Sequence, residues 1–90
     1  MSYDLSKIKL ALNKEGYEIW EHYTDKRKSG LTRHKITVYS KKKAWRMMPG
    51  DKRDINKVYS ILRRYITDVA ILQSDSPEHG IYTAFVWFTK

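Results

Sequence analysis

The chain has 90 residues, of which 41% are apolar and 13% aromatic, and its 18 Lys and Arg against 10 Asp and Glu give a formal net charge of +8. This length favours a single domain over residues 1–90, and the lack of cysteine excludes a disulfide framework, a thiolate metal site and a thiol nucleophile. No apolar run approaches the roughly 20 residues of a membrane helix, so we expect a soluble, cytoplasmic protein with no membrane segment.

An amphipathic helix is predicted for residues 5–15. Its apolar side chains recur at helical spacing and are Leu5, Ile8 and Leu12. Asp4 is placed to cap the first turn. Gly16 is placed to end the helix, because glycine readily adopts the left-handed conformation found there.

A β-hairpin is predicted next, because the hydrophobic period changes to two from residue 17 onward. The polar run 25–30 predicts its turn, and residues 31–41 its second arm. In the first arm, Tyr17, Ile19 and Tyr23 are expected on one face, and Glu18, Trp20 and His22 on the other. In the second arm, His34, Ile36 and Val38 are expected on one face, and Arg33, Lys35, Thr37, Tyr39 and Lys41 on the other.

A short third strand is predicted around residues 44–48, ended by Pro49 and Gly50, since proline cannot continue a sheet ladder. Asp54 is placed to cap a second helix. The apolar stripe of this helix consists of Ile55, Val58, Leu62 and Tyr65 or Ile66, with Lys57, Arg63 and Arg64 turned away.

Two β-rich runs follow at residues 69–72 and 81–88, and the polar residues 73–80 between them predict a long hairpin loop. The second run has apolar side chains on both faces, which predicts a central or covered strand. One face is expected to carry Ile81, Phe85 and Trp87, and the other Tyr82, Val86 and Phe88. The whole order, α-β-β-(β)-α-β-β, predicts a small α+β domain in which one antiparallel sheet carries both helices on one face.

The positive charge is concentrated in the middle of the chain. Residues 26–64 hold 14 of the 18 basic side chains and only two acids, so this segment has a charge of +12 and the flanks −4. Each Lys or Arg that neutralises a phosphate releases condensed counterions, so such a segment favours a polyanion as its partner. The alternative is a solvated basic surface that keeps a small protein soluble.

The element order over residues 4–65 resembles the double-stranded-RNA-binding fold of the HicA-type mRNA interferase toxins. The segment 12–17, Leu-Asn-Lys-Glu-Gly-Tyr, is similar to the end of that family's first helix, and residues 49–65 are similar to its proline and basic entry into the second helix. The family's catalytic histidine lies in a Gly-Ser-His-His segment, whereas here residues 30–34 read Gly-Leu-Thr-Arg-His, offset by one residue and with a single histidine. The resemblance therefore implies RNA binding more than RNA cleavage.

A second, weaker resemblance covers the whole element order. The double-wing DNA-binding domain of a phage transcription activator also runs helix, strands, helix, hairpin. This resemblance keeps DNA as the alternative nucleic acid.

A nucleic-acid-binding surface is predicted on the outward face of the hairpin and in the turns that continue it. Lys and Arg neutralise phosphates, while aromatic rings stack on unpaired bases. The candidate residues are Trp20, Arg27, Lys28, Arg33, Lys35, Tyr39, Lys41, Lys42, Lys43, Trp45, Arg46, Lys52, Arg53 and Lys57. Among these, Lys52 and Arg53 lie at the predicted start of the second helix, which is a further candidate anion site. The alternative is that Trp20 and Trp45 pack in the core or in a dimer contact.

Catalysis is not predicted. His34 shares its predicted face with apolar residues, which favours a packed or hydrogen-bonded histidine. A ribonuclease centred on His34 would need a second group in reach, and strand alternation sends Arg33 and Lys35 to the opposite face. The three histidines, His22, His34 and His79, lie too far apart to predict a zinc site, and we expect no cofactor.

A different class of function also fits the sequence. The chain could be a phage- or plasmid-type accessory protein that binds and modulates or inhibits a host protein, such as a toxin, a nuclease or a polymerase subunit. Exposed aromatic residues suit a protein interface, since interface cores favour Tyr, Trp, Met and Arg. A homodimer is compatible with either function.

Overall fold

The structure, a computed structural model, describes residues 5–43, 45–47, 50–77 and 80–89. The elements in this part of the chain are α1 (Leu5–Lys14), β1 (Tyr17–Lys26), β2 (Thr32–Ser40), β3 (Trp45–Arg46), α2 (Lys52–Leu62), β4 (Ala70–Ser76) and β5 (Gly80–Thr89). The predicted α+β fold and its order, α-β-β-(β)-α-β-β, are confirmed.

The strands form one antiparallel sheet in the order β1-β2-β5-β4. The short β3 pairs with the last two residues of β2, on the side where β5 has already left that strand. The Thr83 N–H donates to the carbonyl of Met47 at 2.9 Å, which links β5 to the segment that follows β3. β5 therefore occupies a central position, as its two apolar faces predict.

Both helices pack on one face of this sheet, which we call the covered face. The core there joins Ile8 and Leu12 of α1, Ile55, Val58, Ile61 and Leu62 of α2, and Tyr17, Ile36, Val38, Phe85 and Trp87 of the sheet. The opposite face, which we call the open face, carries the alternate residues of the same strands. In β2 and β5, the residues on the covered face and the residues on the open face are those that alternation predicts.

The first helix agrees with its prediction and the second begins earlier. α1 ends at Lys14, and Gly16 follows it with a φ of +89°, where glycine is favoured over side chains with a Cβ. Asp54 does not cap α2, because that helix starts at Lys52 and places Asp54 within its first turn. The Asp54 carboxylate instead accepts hydrogen bonds from Tyr17 and Lys43.

The predicted faces of β1 are wrong at His22 and Tyr23. A β-bulge at Trp20 shifts the register, since Ile19 pairs with Val38 but Glu21 pairs with the next residue along β2, Thr37. The extra residue moves His22 to the covered face and Tyr23 to the open face. Trp20 remains on the open face, where its ring contacts Tyr39.

The predicted long loop over residues 73–80 is also wrong. β4 runs to Ser76, and its polar residues 73–76 pair with residues 80–83 of β5. β4 is an edge strand, so polar side chains on it reach water while its backbone completes the ladder with β5.

Several predictions fall outside the described residues. These are the cap at Asp4, the ends of the third strand at residues 44 and 48, the turn residue Pro49, and any role of His79. The side chains of Trp45 and Arg46 are likewise outside the description. In the described part of the chain, no helix has the length and apolar character needed to cross a membrane.

Candidate nucleic-acid interface

Twelve of the fourteen predicted binding residues are divided among four places in the fold, and the other two, Trp45 and Arg46, form β3. The open face carries Trp20, Arg33, Lys35 and Tyr39; the turn between β1 and β2 carries Arg27 and Lys28; the turn after β2 carries Lys41, Lys42 and Lys43; and α2 carries Lys52, Arg53 and Lys57. The two turns lie at opposite ends of β2, which has nine residues. At about 3.3 Å per residue, they are about 30 Å apart. The fourteen residues therefore do not form one cluster.

Aromatic contacts organise one end of the open face. The rings of Trp20 and Tyr39 meet edge to face with 5.4 Å between centroids. The Tyr39 hydroxyl donates a hydrogen bond to Glu18, and this bond, more than burial, raises the pKa of Tyr39. Lys35 extends toward Tyr82, with its Nζ 3.5 Å from the hydroxyl oxygen and 5.6 Å from the ring centroid. Two of the predicted residues, Lys35 and Tyr39, are thus engaged within the protein.

The open face also carries acidic residues that weaken its attraction for phosphate. Glu18, Glu21 and Asp25 all lie on β1, and Asp25 pairs directly with Arg33 of β2. Across β1, β2, β4 and β5, this face holds three carboxylates against Arg33 and Lys35. The negatively charged flank of the sequence therefore lies beside its positively charged middle, and the charges offset each other.

The three-lysine turn after β2 is tied to the start of α2. The Lys41 N–H donates to the carbonyl of Gly16 at 2.9 Å. The ammonium of Lys43 lies 3.2 Å from both Asp51 and Asp54, and these carboxylates raise its pKa. Lys41 approaches Glu18 at 3.9 Å. Carboxylates thus occupy the candidate anion site at the start of α2. Lys42, which is also exposed, forms no ion pair with a carboxylate among the described residues.

A partly buried hydrogen bond reinforces this connection between the sheet and α2. The Tyr17 hydroxyl donates a hydrogen bond to Asp54 at 2.7 Å. Burial of Tyr17, and to a smaller extent the neighbouring Asp54 carboxylate, raises the pKa of Tyr17 to about 12. The same bond, together with Lys43, lowers the pKa of Asp54. These contacts hold the first turn of α2, and with it Arg53 and Lys57, in a defined position.

A basic groove runs between the outer surfaces of α1 and α2. It consists of two adjacent clefts of about 400 and 360 Å³ that share Glu15 and Arg64 in their walls. The cations that line it are Lys7, Lys14, Arg53, Lys57 and Arg64, and Glu15 is its one acidic lining residue among those described. Arg53 and Lys57 are predicted binding residues, and the groove joins them to cations from the other helix.

Sequence reasoning missed Lys7, Lys14 and Arg64. Part of the signal was present: Lys7 and Lys14 are seven residues apart and share a helix stripe, as do Arg53, Lys57 and Arg64. Periodicity does not show that α1 and α2 lie side by side, with both stripes facing the same groove. Tyr23, Leu72, Tyr82 and Phe88 of the open face were also absent from the predicted set.

His34 is packed, as its position among apolar residues predicts. It is 6% exposed, its Nε2 lies 2.8 Å from Thr89 Oγ1, and its Nδ1 lies 3.4 Å from His22 Nε2. The two imidazole planes differ by 17° and their centroids are 5.6 Å apart. Two imidazoles with centroids 5.6 Å apart can bring their nitrogens within 3.4 Å only when each nitrogen points at the other ring. The rings therefore lie edge to edge in nearly one plane and are joined by a hydrogen bond between the two nitrogens.

The surroundings of this histidine pair disfavour its protonated form. Burial lowers the pKa of both rings, and Lys9 lowers the pKa of His22 further. Trp87 lies nearly parallel to His34, with 5.2 Å between ring centroids. Arg33 and Lys35 are on the open face, so they do not converge with His34 on one phosphate.

No group of three potential metal ligands is found among the described residues. Comparison with models of protein families, with curated proteins and with solved structures finds no match, so the geometry of the two faces is what bears on function.

Proposed function

We propose that this protein binds nucleic acid, RNA in preference to DNA, and acts by binding rather than by catalysis. The observation that carries the proposal is the basic groove between α1 and α2. Its lining places five cations, from α1, α2 and the turn after α2, around one acid. A surface of this composition attracts a polyanion and repels other cations.

The groove belongs to a larger basic surface, which we call the helix layer and define as residues 5–15 and 51–65. Its exposed cations are Lys7, Lys9, Lys14, Lys52, Arg53, Lys57, Arg63 and Arg64, and its acids are Glu15, Asp51 and Asp54. Two of those acids, Asp51 and Asp54, already bind Lys43. The helix layer therefore has the excess of positive charge that the sequence led us to expect on the open face.

The dimensions of the groove suit a phosphate backbone. α2, which carries Arg53 and Lys57, has eleven residues and is about 16 Å long at 1.5 Å per residue. Phosphates on one strand of a duplex recur about every 3.4 Å along its axis, so several fall within this length. RNA is preferred because the order over residues 4–65 resembles a double-stranded-RNA-binding fold.

The proposal is tested by measuring binding to RNA and DNA of matched sequence between 50 and 200 mM salt. Phosphate contacts release counterions, so log K is expected to fall linearly with log[salt], and RNA is expected to bind more tightly than DNA at each salt concentration. Binding that is independent of salt would overturn the proposal.

A matched pair of variants locates the contact. Arg53→Glu/Lys57→Glu reverses one arginine and one lysine on the helix layer, and Arg33→Glu/Lys35→Glu makes the same change on the open face. We expect the first variant to weaken binding about a hundredfold and the second to change it by less than about threefold. The opposite ranking would move the interface to the open face.

The absence of catalysis has its own test. The wild-type protein is incubated with a long single-stranded RNA in EDTA at a concentration that saturates binding. We expect the RNA to remain intact. Fragments with 2′,3′-cyclic phosphate ends that disappear in His34→Gln would instead show a metal-independent ribonuclease.

A second candidate function is that of an accessory protein that binds a host protein. The exposed aromatic residues of the open face, Trp20 and Tyr23 among them, favour it. A pull-down with and without RNase and DNase separates the two functions. A partner retained after nuclease treatment supports direct protein contact, and a partner lost supports a nucleic-acid bridge.

A further inference from the structure

One exposed leucine on α1 is not explained by the packing of that helix. The core takes Ile8 and Leu12 from α1, and both are fully buried. Leu10 lies on the opposite side, since two residues turn a helix by about 200°. It is 65% exposed, more than any other large apolar side chain in the described part of the chain. Single exposed leucines are common, so the significance of Leu10 depends on its neighbours.

The neighbours of Leu10 form an apolar strip in the larger of the two clefts of the groove. Ala11 follows Leu10 on α1, and Tyr65 lines the same cleft from the turn after α2. Lys7 and Lys14 lie three or four residues to either side of Leu10 and Ala11 and also line it. Side chains at this spacing share one helix face, so α1 presents cationic, apolar and again cationic side chains to the cleft.

The apolar strip is held in place by the core. Ala11 and Tyr65 are half-buried, and both pack against the core cluster. The Tyr65 N–H donates to the carbonyl of Leu62 at 3.0 Å, within the turn that carries the ring. The apolar surface is therefore preformed, and a ligand that binds it does not have to order it at a cost in conformational entropy.

The smaller cleft has no comparable surface. Beyond the residues that the two clefts share, its lining consists of Arg53, Lys57, Asn56, Ser60 and Ile61, and the isoleucine is only 4% exposed. Cations, amides and hydroxyls suit the phosphate and sugar oxygens of a nucleic-acid backbone. A backbone alone makes no use of an exposed leucine and a tyrosine ring. The larger cleft therefore fits a ligand that brings an apolar group together with its negative charge.

An unpaired nucleobase is the part of a nucleic acid that meets this requirement. Its flat faces stack on side chains in single strands, whereas a duplex hides them between neighbouring base pairs. The cleft volume of about 400 Å³ lies within the range of small-ligand sites, roughly 300–1,000 Å³.

Two polar groups of the larger cleft can bond the edge of such a base. The Tyr65 hydroxyl makes no hydrogen bond among the described residues, so it can donate to a base or accept from one. The Glu15 carboxylate repels phosphate, but it can accept hydrogen bonds from the amino groups of bases. An acid in a basic groove is thus compatible with contact to a base.

We propose that the larger cleft binds an unpaired base of single-stranded RNA, with the base against Leu10 and Tyr65 and the neighbouring phosphates on Lys14 and Arg64. The inference rests on the proposed function and deepens it, because it names single-stranded RNA as the form that the groove takes.

The test compares a single-stranded RNA of about 12 nucleotides with the blunt duplex that it forms with its complement. We expect the wild type to bind the single strand at least about tenfold more tightly than the duplex at the same salt concentration. Leu10→Gln removes apolar surface without a change of charge. We expect it to weaken single-strand binding about tenfold, to change duplex binding by less than about twofold, and to leave the slope of log K against log[salt] unchanged.

Leu72→Gln is the matched control, because Leu72 is an exposed leucine of the open face. It is expected to bind both RNAs as the wild type does. Tyr65→Leu removes the ring and keeps an apolar side chain against the core, and we expect it to weaken single-strand binding about tenfold as well. An unchanged circular dichroism spectrum checks that each variant is folded.

The outcomes separate this inference from the proposed function. Equal affinity for the single strand and the duplex, with the expected salt dependence, overturns the inference and leaves the proposed function intact. Single-strand binding that is unchanged in both Leu10→Gln and Tyr65→Leu does the same. A wild type that binds neither RNA, or binds both independently of salt, overturns the proposed function and the inference with it.

Discussion

The two broad sides of this protein, the helix layer and the open face of the sheet, differ in nearly every property that governs binding. The helix layer has eight exposed cations and three acids, two of which are already paired with Lys43. Across β1, β2, β4 and β5, the open face has two cations, three acids and a set of exposed aromatic residues. One side is suited to a polyanion, and the other is suited to a protein surface.

The difference teaches that the charge of a sequence segment is not the charge of a surface. Residues 26–64 carry +12 in the sequence, but β2 in the middle of that charge pairs with β1, which belongs to the negative flank. Lys7 and Lys14 belong to the same flank and nevertheless join Arg53 and Lys57 at the groove. Packing therefore redistributes the charge, and each face has to be judged by its own side chains.

The largest effect is expected from two matched substitutions in β5. Phe85 is fully buried under the helices, whereas Phe88 is 50% exposed on the open face. Phe85→Ala removes a core ring and leaves a cavity, so we expect it to lower the free energy of unfolding by about 3–5 kcal/mol. Phe88→Ala is expected to change that free energy by less than about 0.5 kcal/mol at low protein concentration. Urea unfolding measures both, and equal losses would mean that the two faces are equally covered.

The contribution of the groove to RNA binding can be distinguished from that of α2 alone by neutralising groove cations that lie outside α2. Lys14→Gln/Arg64→Gln removes two charges that line the groove without altering Arg53 or Lys57. We expect RNA affinity to fall about tenfold to a hundredfold and the slope of log K against log[salt] to decrease by about two. Arg33→Gln/Lys35→Gln is the control on the open face, with an expected change within about twofold. An unchanged slope in the groove variant would exclude its two cations from the interface.

Removing one oxygen atom, that of the Tyr17 hydroxyl, weakens the attachment of α2 to the sheet. Tyr17→Phe removes the hydroxyl that donates to Asp54, and the loss of this partly buried hydrogen bond to a carboxylate is expected to cost about 1–2 kcal/mol at neutral pH. Because this bond lowers the pKa of Asp54, its stabilisation is present above the usual carboxyl range and is lost as pH falls through the folded pKa. Wild type and variant should therefore converge in strong acid.

Tyr65→Phe is the matched control for that substitution, since the Tyr65 hydroxyl makes no hydrogen bond among the described residues. We expect it to change the free energy of unfolding by less than about 0.5 kcal/mol. An equal loss in both variants would show that the bond to Asp54 contributes nothing specific.

The smallest effect concerns pH and the histidine pair on the covered face. The folded pKa values of His22 and His34 are both lowered, so below about pH 6.5 the unfolded chain binds protons before the folded chain does. Stability is therefore expected to be complete above that pH and to decline gradually as pH falls toward the folded pKa values. His22→Gln leaves one imidazole of the pair and is expected to flatten the decline. A wild-type stability that stays constant from pH 7 to pH 5 would contradict this.

Local sequence pattern determined much of the fold. Apolar residues at a spacing of three and four placed α1 and most of α2, and alternation assigned the two faces of β2 and β5. His34 was placed correctly on the covered face for the same reason. These features follow from periodicity because they depend on residues close together in the chain.

Tertiary structure alone decided how those elements meet. The bulge at Trp20 arises from pairing with β2 and reverses the faces of His22 and Tyr23, and the pairing of β4 with β5 turns a polar segment into strand. The alignment of acids beside Arg33, and of Lys14 beside Arg64, needs contacts between residues far apart in sequence. Periodicity shows which side of an element is apolar, but hydrogen-bond ladders and core packing between distant segments determine which neighbour that side faces.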